Sequence, residues 1–170
     1  MSIDKVRAYL AGFGAEDRIR EFDVSSATVE LAAKALGTQE CRIAKTLSFM
    51  LGDRVILVVA AGDVKVDNRK YKDFFGGKAK MLSHEEAETF TGHAVGGVCP
   101  FAVNDGVEVW LDESLKRFDT VFPACGSANS AIELTVRELE EFSRARGWAD
   151  VCSLTGAVAS KRVTDAVSVE

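Results

Sequence analysis

The residues of this chain best able to do chemistry do not form a familiar catalytic set. Lys45 lies in the apolar stretch "IAKTLSFML". Alternate side chains of a strand share a face, so Lys45 would stand with Ile43, Leu47, Phe49 and Leu51. An ammonium among such neighbours is costly unless it is paired. Spacing leaves two readings open. Either the stem runs along apolar surface with its head in water, or a fixed cation waits in a cleft for an anionic or carbonyl group.

A second stretch, "HAVGGVCPFAV" (His93 to Val103), reads as an apolar strand broken by Gly96-Gly97 and Pro100. Gly weakens a strand and Pro cannot donate to a ladder, so a central strand avoids both. Successive backbone N–H groups in such a turn can form an anion-binding concavity. A bulge where a sheet curves is the plainer account. The third stretch, "FPACGSANS" (Phe122 to Ser130), holds Pro123, the other of the chain's two prolines, again beside Cys and near Gly. Two strands with similar interruptions could form one rim of a pocket, with Ser127 and Asn129 adding a hydroxyl and an amide. The alternative is an ordinary turn, since Gly, Ser and Asn dominate turns.

Cys99 and Cys125 invite a thiol-nucleophile reading, with His93 or His84 as base. Cysteines in apolar surroundings are more often packing residues. Four dispersed cysteines and two histidines lack the spacing of a zinc site. No paired-carboxylate arrangement stands out, and GxGxxG and P-loop motifs are absent.

These residues must be positioned by short, mixed elements. Ile3, Val6 and Leu10 recur at helical spacing, and "IREFDV" reads as a short strand. "SSATVELAAKALG" reads as a helix with Ser26 as N-cap and Gly37 as stop. Apolar runs on both sides of Gly52-Asp53-Arg54 predict an antiparallel hairpin. A helix over about 67–75 stops at Gly76-Gly77, and "KAKML" reads as a strand. "SHEEAETFTG" opens with a capping box, Ser83 with Glu86. "VEVWL", "TVFPA", "AIEL" and "ADVCSL" read as strands, and "DESLKRF" as a helical turn. "TVRELEEFSRARG" is a helix with a second capping box, Thr135 with Glu138, ending at Gly147. Hairpins mixed with scattered helices lack the rhythm of a doubly wound sheet. The expectation is a single α/β (α+β) domain over 1–154 around a mixed, strongly curved sheet, with 155–170 as a tail.

A net charge of −5 argues against broad, unspecific nucleic-acid binding. The stretch 65–80 is the exception. Lys65, Arg69, Lys70, Lys72, Lys78 and Lys80 outnumber Asp67 and Asp73 there, with Tyr71, Phe74 and Phe75 interleaved. It reads either as a surface for phosphates and a stacked base, or as a solvated helix face with its aromatics turned inward. No apolar run approaches membrane-spanning length, and the charged N-terminus lacks a signal-peptide pattern. The expected place is the cytoplasm, with reduced thiols.

In this order, "AKTLSFM", "HAVGGVCPF" and "FPACGSANSAIELT" resemble the YbaK/EbsC family of aminoacyl-tRNA deacylases, relatives of the editing domain inserted in bacterial prolyl-tRNA synthetases. The resemblance runs from about Ser25 to Leu154. It implies a barrel-like mixed sheet surrounded by helices, and metal-independent hydrolysis of the ester joining a wrong amino acid to tRNA, with no cofactor. By position, Lys45 matches the family's essential lysine and Thr46 its neighbour. Gly96, Gly97 and Pro100 match the GGxxP loop, with Val98 and Cys99 inside it, and Gly126 and Ser127 fall in the second substrate loop. The resemblance thus implies Lys45, Gly96 and Gly97 as catalytic, and Thr46, Val98, Cys99, Pro100, Gly126 and Ser127 as substrate-binding.

The implied substrate is the acceptor end of mischarged Cys-tRNA(Pro) or Ala-tRNA(Pro), edited in trans, with prolyl-tRNA synthetase as a partner. No side chain is an obvious general base, so a positioned water or the substrate's own groups would serve. Two departures, Cys99 in the loop and Ser130-Ala131 before "IEL", lie where amino-acid selectivity is set. The rival readings are a non-catalytic module that binds aminoacyl-tRNA or a nucleotide, and a thiol enzyme.

Overall fold

Helix α1 (Ser2–Ala11) forms where Ile3, Val6 and Leu10 recur, and all three are buried in the computed structural model, which describes residues 2–155. Strand β1 (Arg20–Glu21) is only two residues long. Helix α2 (Val29–Leu36) is capped by Thr28, whose Oγ1 accepts from the Leu31 N–H at 3.1 Å. Ser26, the expected cap, instead donates its backbone N–H to Ala128 at 2.6 Å. Strands β2 (Ile43–Leu51) and β3 (Arg54–Ala61) form the expected antiparallel hairpin across Gly52-Asp53.

Strand β4 (Val64–Val66) was not legible in the sequence. Helix α3 (Asn68–Phe75) is capped by Asp67, and α4 (His84–Thr91) by the Ser83–Glu86 capping box. Of the expected "KAKML" strand only a single bridge survives, Met81 with Phe49. Next come β5 (Glu108–Asp112), a 3-10 turn over Glu113–Arg117, and β6 (Thr120–Pro123). "AIEL" is split into β7 (Ser130–Ala131) and β8 (Leu134–Thr135). Helix α5 (Val136–Ser143) keeps its capping box but ends on Arg144 at φ 53, short of Gly147. "ADVCSL" is also split, into β9 (Trp148–Ala149) and β10 (Cys152–Leu154).

Six strands form one sheet in the order β8-β6-β2-β3-β5-β9. β2 and β3 run antiparallel, whereas β2–β6, β3–β5 and β5–β9 are parallel. The sheet is mixed and strongly curled into a half-barrel, as the sequence implied. Its centre, β3, has no exposure from Ile56 to Ala61, which explains its uninterrupted apolar run. One face packs Ala44, Leu57 and Val59 against Cys99, Phe101, Cys125 and Ile132. The other packs Phe49, Ile56 and Val58 against Tyr71 of α3 and Val151. Each such aliphatic side chain contributes about 1.5–3 kcal/mol by leaving water. β10 pairs with β4 outside this sheet. The expected tail, 155–170, lies outside the described residues apart from Thr155, whose N–H donates to Asp63 at 3.4 Å.

Candidate active site

The site begins at a break in the edge of β2. In a two-residue hairpin the strand ends pair with each other, so the odd-numbered backbone groups of β2 bond to β3 and the even-numbered ones face outward. On that outer edge β6 pairs only with Ile43 and Ala44. Pairing resumes at Ser48, whose carbonyl accepts from the Leu82 N–H at 3.0 Å, and at Met50, whose N–H donates to Lys80 at 2.9 Å. Between them the N–H and C=O of Thr46 meet no backbone partner among the described residues. The Thr46 Oγ1 is also buried without a partner. One residue therefore offers a donor, an acceptor and a hydroxyl in a gap of the sheet. Buried polar groups are normally satisfied, and exceptions gather where function supplies the missing partner.

β6 leaves β2 because the chain turns back at Ala124, which bridges to Ala131. The loop so formed receives the glycine loop. A β-carbon on Gly97 would stand 2.7 Å from the Ser127 nitrogen and 2.8 Å from the Gly126 carbonyl carbon. Gly126, at φ 91, is pressed equally hard on its other side: a β-carbon there would lie 2.9 Å from the Ser2 carbonyl oxygen. Only glycine permits this backbone-to-backbone contact at both positions. The structure thus brings together Gly96-Gly97 and Gly126-Ser127, four of the residues singled out in the sequence.

The segment from His93 to Val103 is a loop, not an interrupted strand. Its apolar residues are buried all the same: Cys99 and Phe101 join the core, and Gly97 and Pro100 are buried. The Gly97 N–H donates to Ala94 at 3.0 Å and closes a tight turn. That amide is therefore engaged within the loop, whereas no acceptor among the described residues takes the N–H of Gly96 or Val98. Both residues are half-buried. Ser127 Oγ donates to Asn129 Oδ1 at 3.0 Å and lies 2.7 Å from Ser130 Oγ, which fixes its loop internally.

Lys45 shares the β2 face of Phe49, opposite the Thr46 side chain, as strand alternation requires. Its ammonium donates to the Val64 carbonyl at the start of β4. Burial pushes its pKa below the ordinary lysine range, opposed by the nearby Cys152 and Asp63. Asp63 is held by two hydrogen bonds from Arg117, at 2.5 and 2.9 Å, and so fixes the turn into β4 beside Lys45. Lys45 thus lies on the Phe49 face of the sheet, whereas Cys99 of the glycine loop packs on the opposite face with Ala44, and the head of Lys45 is turned toward β4.

Cys99 has no exposure, and its Sγ lies 3.6 Å from His93 Nε2. This spacing resembles a thiol–imidazole pair, yet the surroundings oppose one. Burial pushes the Cys99 thiol up to about 12 and the His93 ring down. Both changes favour the neutral forms, whereas a nucleophilic dyad needs a thiolate. Burial also raises the Cys125 thiol, with Cys99 adding to the shift. Among the described residues no group of three or more His, Cys, Asp or Glu is arranged to hold a metal ion.

In the basic stretch Tyr71 turns inward, Phe75 is half-buried and Phe74 remains exposed. Tyr71 is buried between Phe49 and Phe75, and Phe74 meets Phe75 and Trp110 edge-on. Lys70 is bound to Asp150 at 3.1 Å and to the Cys152 carbonyl at 2.9 Å. Lys65, Arg69, Lys72, Lys78 and Lys80 remain exposed. Lys80 lies on the β2 edge opposite Met50, beyond Leu82 as seen from the gap.

The aminoacyl-tRNA editing domain family matches residues 23–142, which include Lys45, Thr46, the glycine loop and Gly126-Ser127. The chain belongs to that family. The Bacillus subtilis (strain 168) protein YwhH is 57% identical over 153 residues, 89% of this chain and 98% of that protein. A proline–tRNA ligase of Bacillus cereus (strain AH820) is 24% identical over 102 residues, covering 59% of this chain but 18% of the ligase. A solved structure of a proposed trans-editing enzyme for prolyl tRNA synthetase superposes with a TM-score of 0.81 at 29% identity, over 89% of this chain and 97% of that one. As a member of the editing-domain family the chain is an aminoacyl-tRNA deacylase. Among its described residues no helix is long and apolar enough to cross a membrane.

Two features of the editing domain escaped the sequence. The gap at Thr46 depends on where β6 and Lys80–Leu82 stop pairing, which is set by partners distant in the chain. The second is His93, read only as a possible base; its neighbours on either side of the ring carry no local signal.

Proposed function

We propose that this editing domain acts in trans, in the cytoplasm, on mischarged Cys-tRNA(Pro) or Ala-tRNA(Pro), and hydrolyses the ester without a metal. The observation that carries the reading is the backbone contact of Gly97 on Ser127, in the loop that follows β6 where β6 leaves the β2 edge. It creates a site lined by main chain and small residues, suited to a small aminoacyl group. Around Gly96 the nearest side chains are Ala27 and Ala128.

In this reading the ester carbonyl points at the free amides of Gly96 and Val98. Those donors stabilise the oxyanion that forms when water attacks, and one such donor is worth roughly 3–4 kcal/mol. Thr46 positions the aminoacyl group or the water through its unpaired backbone and hydroxyl. Lys45 leaves the Val64 carbonyl to meet the terminal phosphate, while Lys80, Lys78, Lys72 and Arg69 follow the acceptor backbone. Pro100 holds the loop. Cys99 and Ser127 set the back of the pocket from behind the glycines. A pocket separates side chains differing by one methylene by only about 1–3 kcal/mol, so Cys99 and Ser130 bear on the choice between cysteine and alanine. Prolyl-tRNA synthetase is the partner that would deliver such substrates.

The test is single-turnover deacylation of a panel of mischarged tRNAs, with Cys-tRNA(Pro) and Ala-tRNA(Pro) first, using wild type and Lys45→Ala. Release of one of these amino acids, lost in the variant, is the expected result. Bound tRNA with no release from any member would make the chain a binding module instead.

A further inference from the structure

One side chain closes the glycine loop at its base. His93 is fully buried and stands at the start of the loop. Its Nε2 lies 2.7 Å from the carbonyl oxygen of Phe101, at the far end of the loop. Its Nδ1 is hydrogen-bonded to Ser2 Oγ at the start of α1. A carbonyl can only accept, so Nε2 carries the proton and Nδ1 accepts from the Ser2 hydroxyl. Burial keeps the ring neutral against the opposing pull of the Phe101 carbonyl.

The same residue is tied through its backbone. The His93 N–H donates to Thr91 Oγ1 at 3.1 Å, and that hydroxyl donates to the Ala87 carbonyl at 2.5 Å, inside α4. Ser2 in turn is the residue whose carbonyl crowds Gly126. The imidazole therefore spans both ends of one substrate loop and reaches, through Ser2, the residue against which the other loop is packed. Its position gives it no route to solvent, so it neither binds nor protonates a substrate directly.

We propose that His93 is a positioning residue for deacylation: its Nε2–H clasps the Phe101 carbonyl, and its Nδ1 anchors that clasp to Ser2, so that the Gly96 and Val98 amides keep the spacing an ester oxyanion needs. This rests on the assignment of the glycine loop to the ester. A site whose donors are preorganised loses rate steeply when they are misplaced by about 1 Å, on the order of 100-fold.

Two variants separate positioning from mere stability. In His93→Gln the longer amide can still reach the Phe101 carbonyl; in His93→Asn it cannot. The clasp predicts that His93→Asn loses about 10- to 100-fold in kcat with KM little changed, and that His93→Gln recovers most of the rate. His93→Asn with wild-type kcat overturns it, and so does an equal loss in both variants that tracks their fall in Tm.

Nitrogen NMR of the wild-type ring serves even if a variant does not fold. The proton must sit on Nε2 near neutral pH, and a proton found on Nδ1 sinks the clasp. If wild type releases no amino acid from any tRNA, the deacylase reading fails by itself. Hydrogen exchange at Gly96 and Val98 then still decides the clasp: faster in His93→Asn than in His93→Gln supports it, and equal rates refute it.

Discussion

Gly97 lies so close to Ser127 that a β-carbon would sit 2.7 Å from the Ser127 backbone nitrogen. The atoms that would have to yield are backbone on both sides, so no rotamer can relieve the clash. Gly97→Ala must push the two loops apart. The expected cost is about 1–3 kcal/mol of stability, seen as a lower Tm, together with at least a tenfold slower single-turnover release. A variant with unchanged rate would show that the contact is packing alone.

Lys45 gives a pH signature. A lysine whose pKa is lowered by burial loses its charge at a lower pH than an exposed lysine does. If the ammonium holds a phosphate, kcat/KM should decline on the alkaline side of neutrality, earlier than an exposed lysine would allow. Lys45→Arg should lose this alkaline limb, because a guanidinium does not deprotonate there. For stability the sign is reversed. Burying the cation is a cost present below its folded pKa and relieved above it, so Lys45→Met should gain more stability at pH 7 than at pH 10. Denaturant unfolding at the two pH values checks this.

The thiols should be dispensable for the chemistry. With Cys99 held near 12 and Cys125 also raised, neither reaches the thiolate at neutral pH. Cys99→Ser and Cys125→Ser should each retain deacylation while losing about 1–3 kcal/mol of stability, since each buries a hydroxyl in an apolar core. Abolished release in a folded variant would revive the nucleophile. Alkylation of the native protein at pH 7 should be slow at both positions.

The exposed cations of the 65–80 stretch should act on affinity and leave the bond-breaking step alone. Arg69→Glu combined with Lys72→Glu should weaken tRNA binding and flatten its dependence on salt. Release at saturating protein should stay near the wild-type rate. A double variant with wild-type affinity in low salt would move the acceptor stem to another face.

Where a signal was local, the sequence carried it. The β2–β3 hairpin, the helix that stops at Gly76 and both capping boxes follow from residues within a few positions of each other, and all are present. The errors share a cause. "HAVGGVCPFAV" has strand-like apolarity because Cys99 and Phe101 enter the core from a loop, and no pattern distinguishes the two routes to burial. β4 exists because β10 arrives to pair with it, from Cys152↔Val66 to Leu154↔Val64, far along the chain. Without β4 in view, the partner of Lys45 was invisible. Ser26 gives the cap up to Thr28 because both its N–H and its hydroxyl are turned to the Ala128 carbonyl, and the helix begins only at Val29. In the site, residue types identified the glycines and the lysine, but the spent amide of Gly97 and the idle ones beside it emerged only from the turn geometry.

The opening in β2 also bears on how the fold can leave sheet edge unpaired without inviting another strand onto it. Unpaired strand edges recruit other chains and seed aggregation, and long, flat, apolar ones do so most readily. Here the free stretch is one residue, Thr46, closed off by β6 on one side and by Lys80–Leu82 on the other. A foreign strand would find a single donor and acceptor to grip before meeting occupied backbone. An opening this short admits a small molecule's polar atoms and denies a β-strand the footing it needs to propagate.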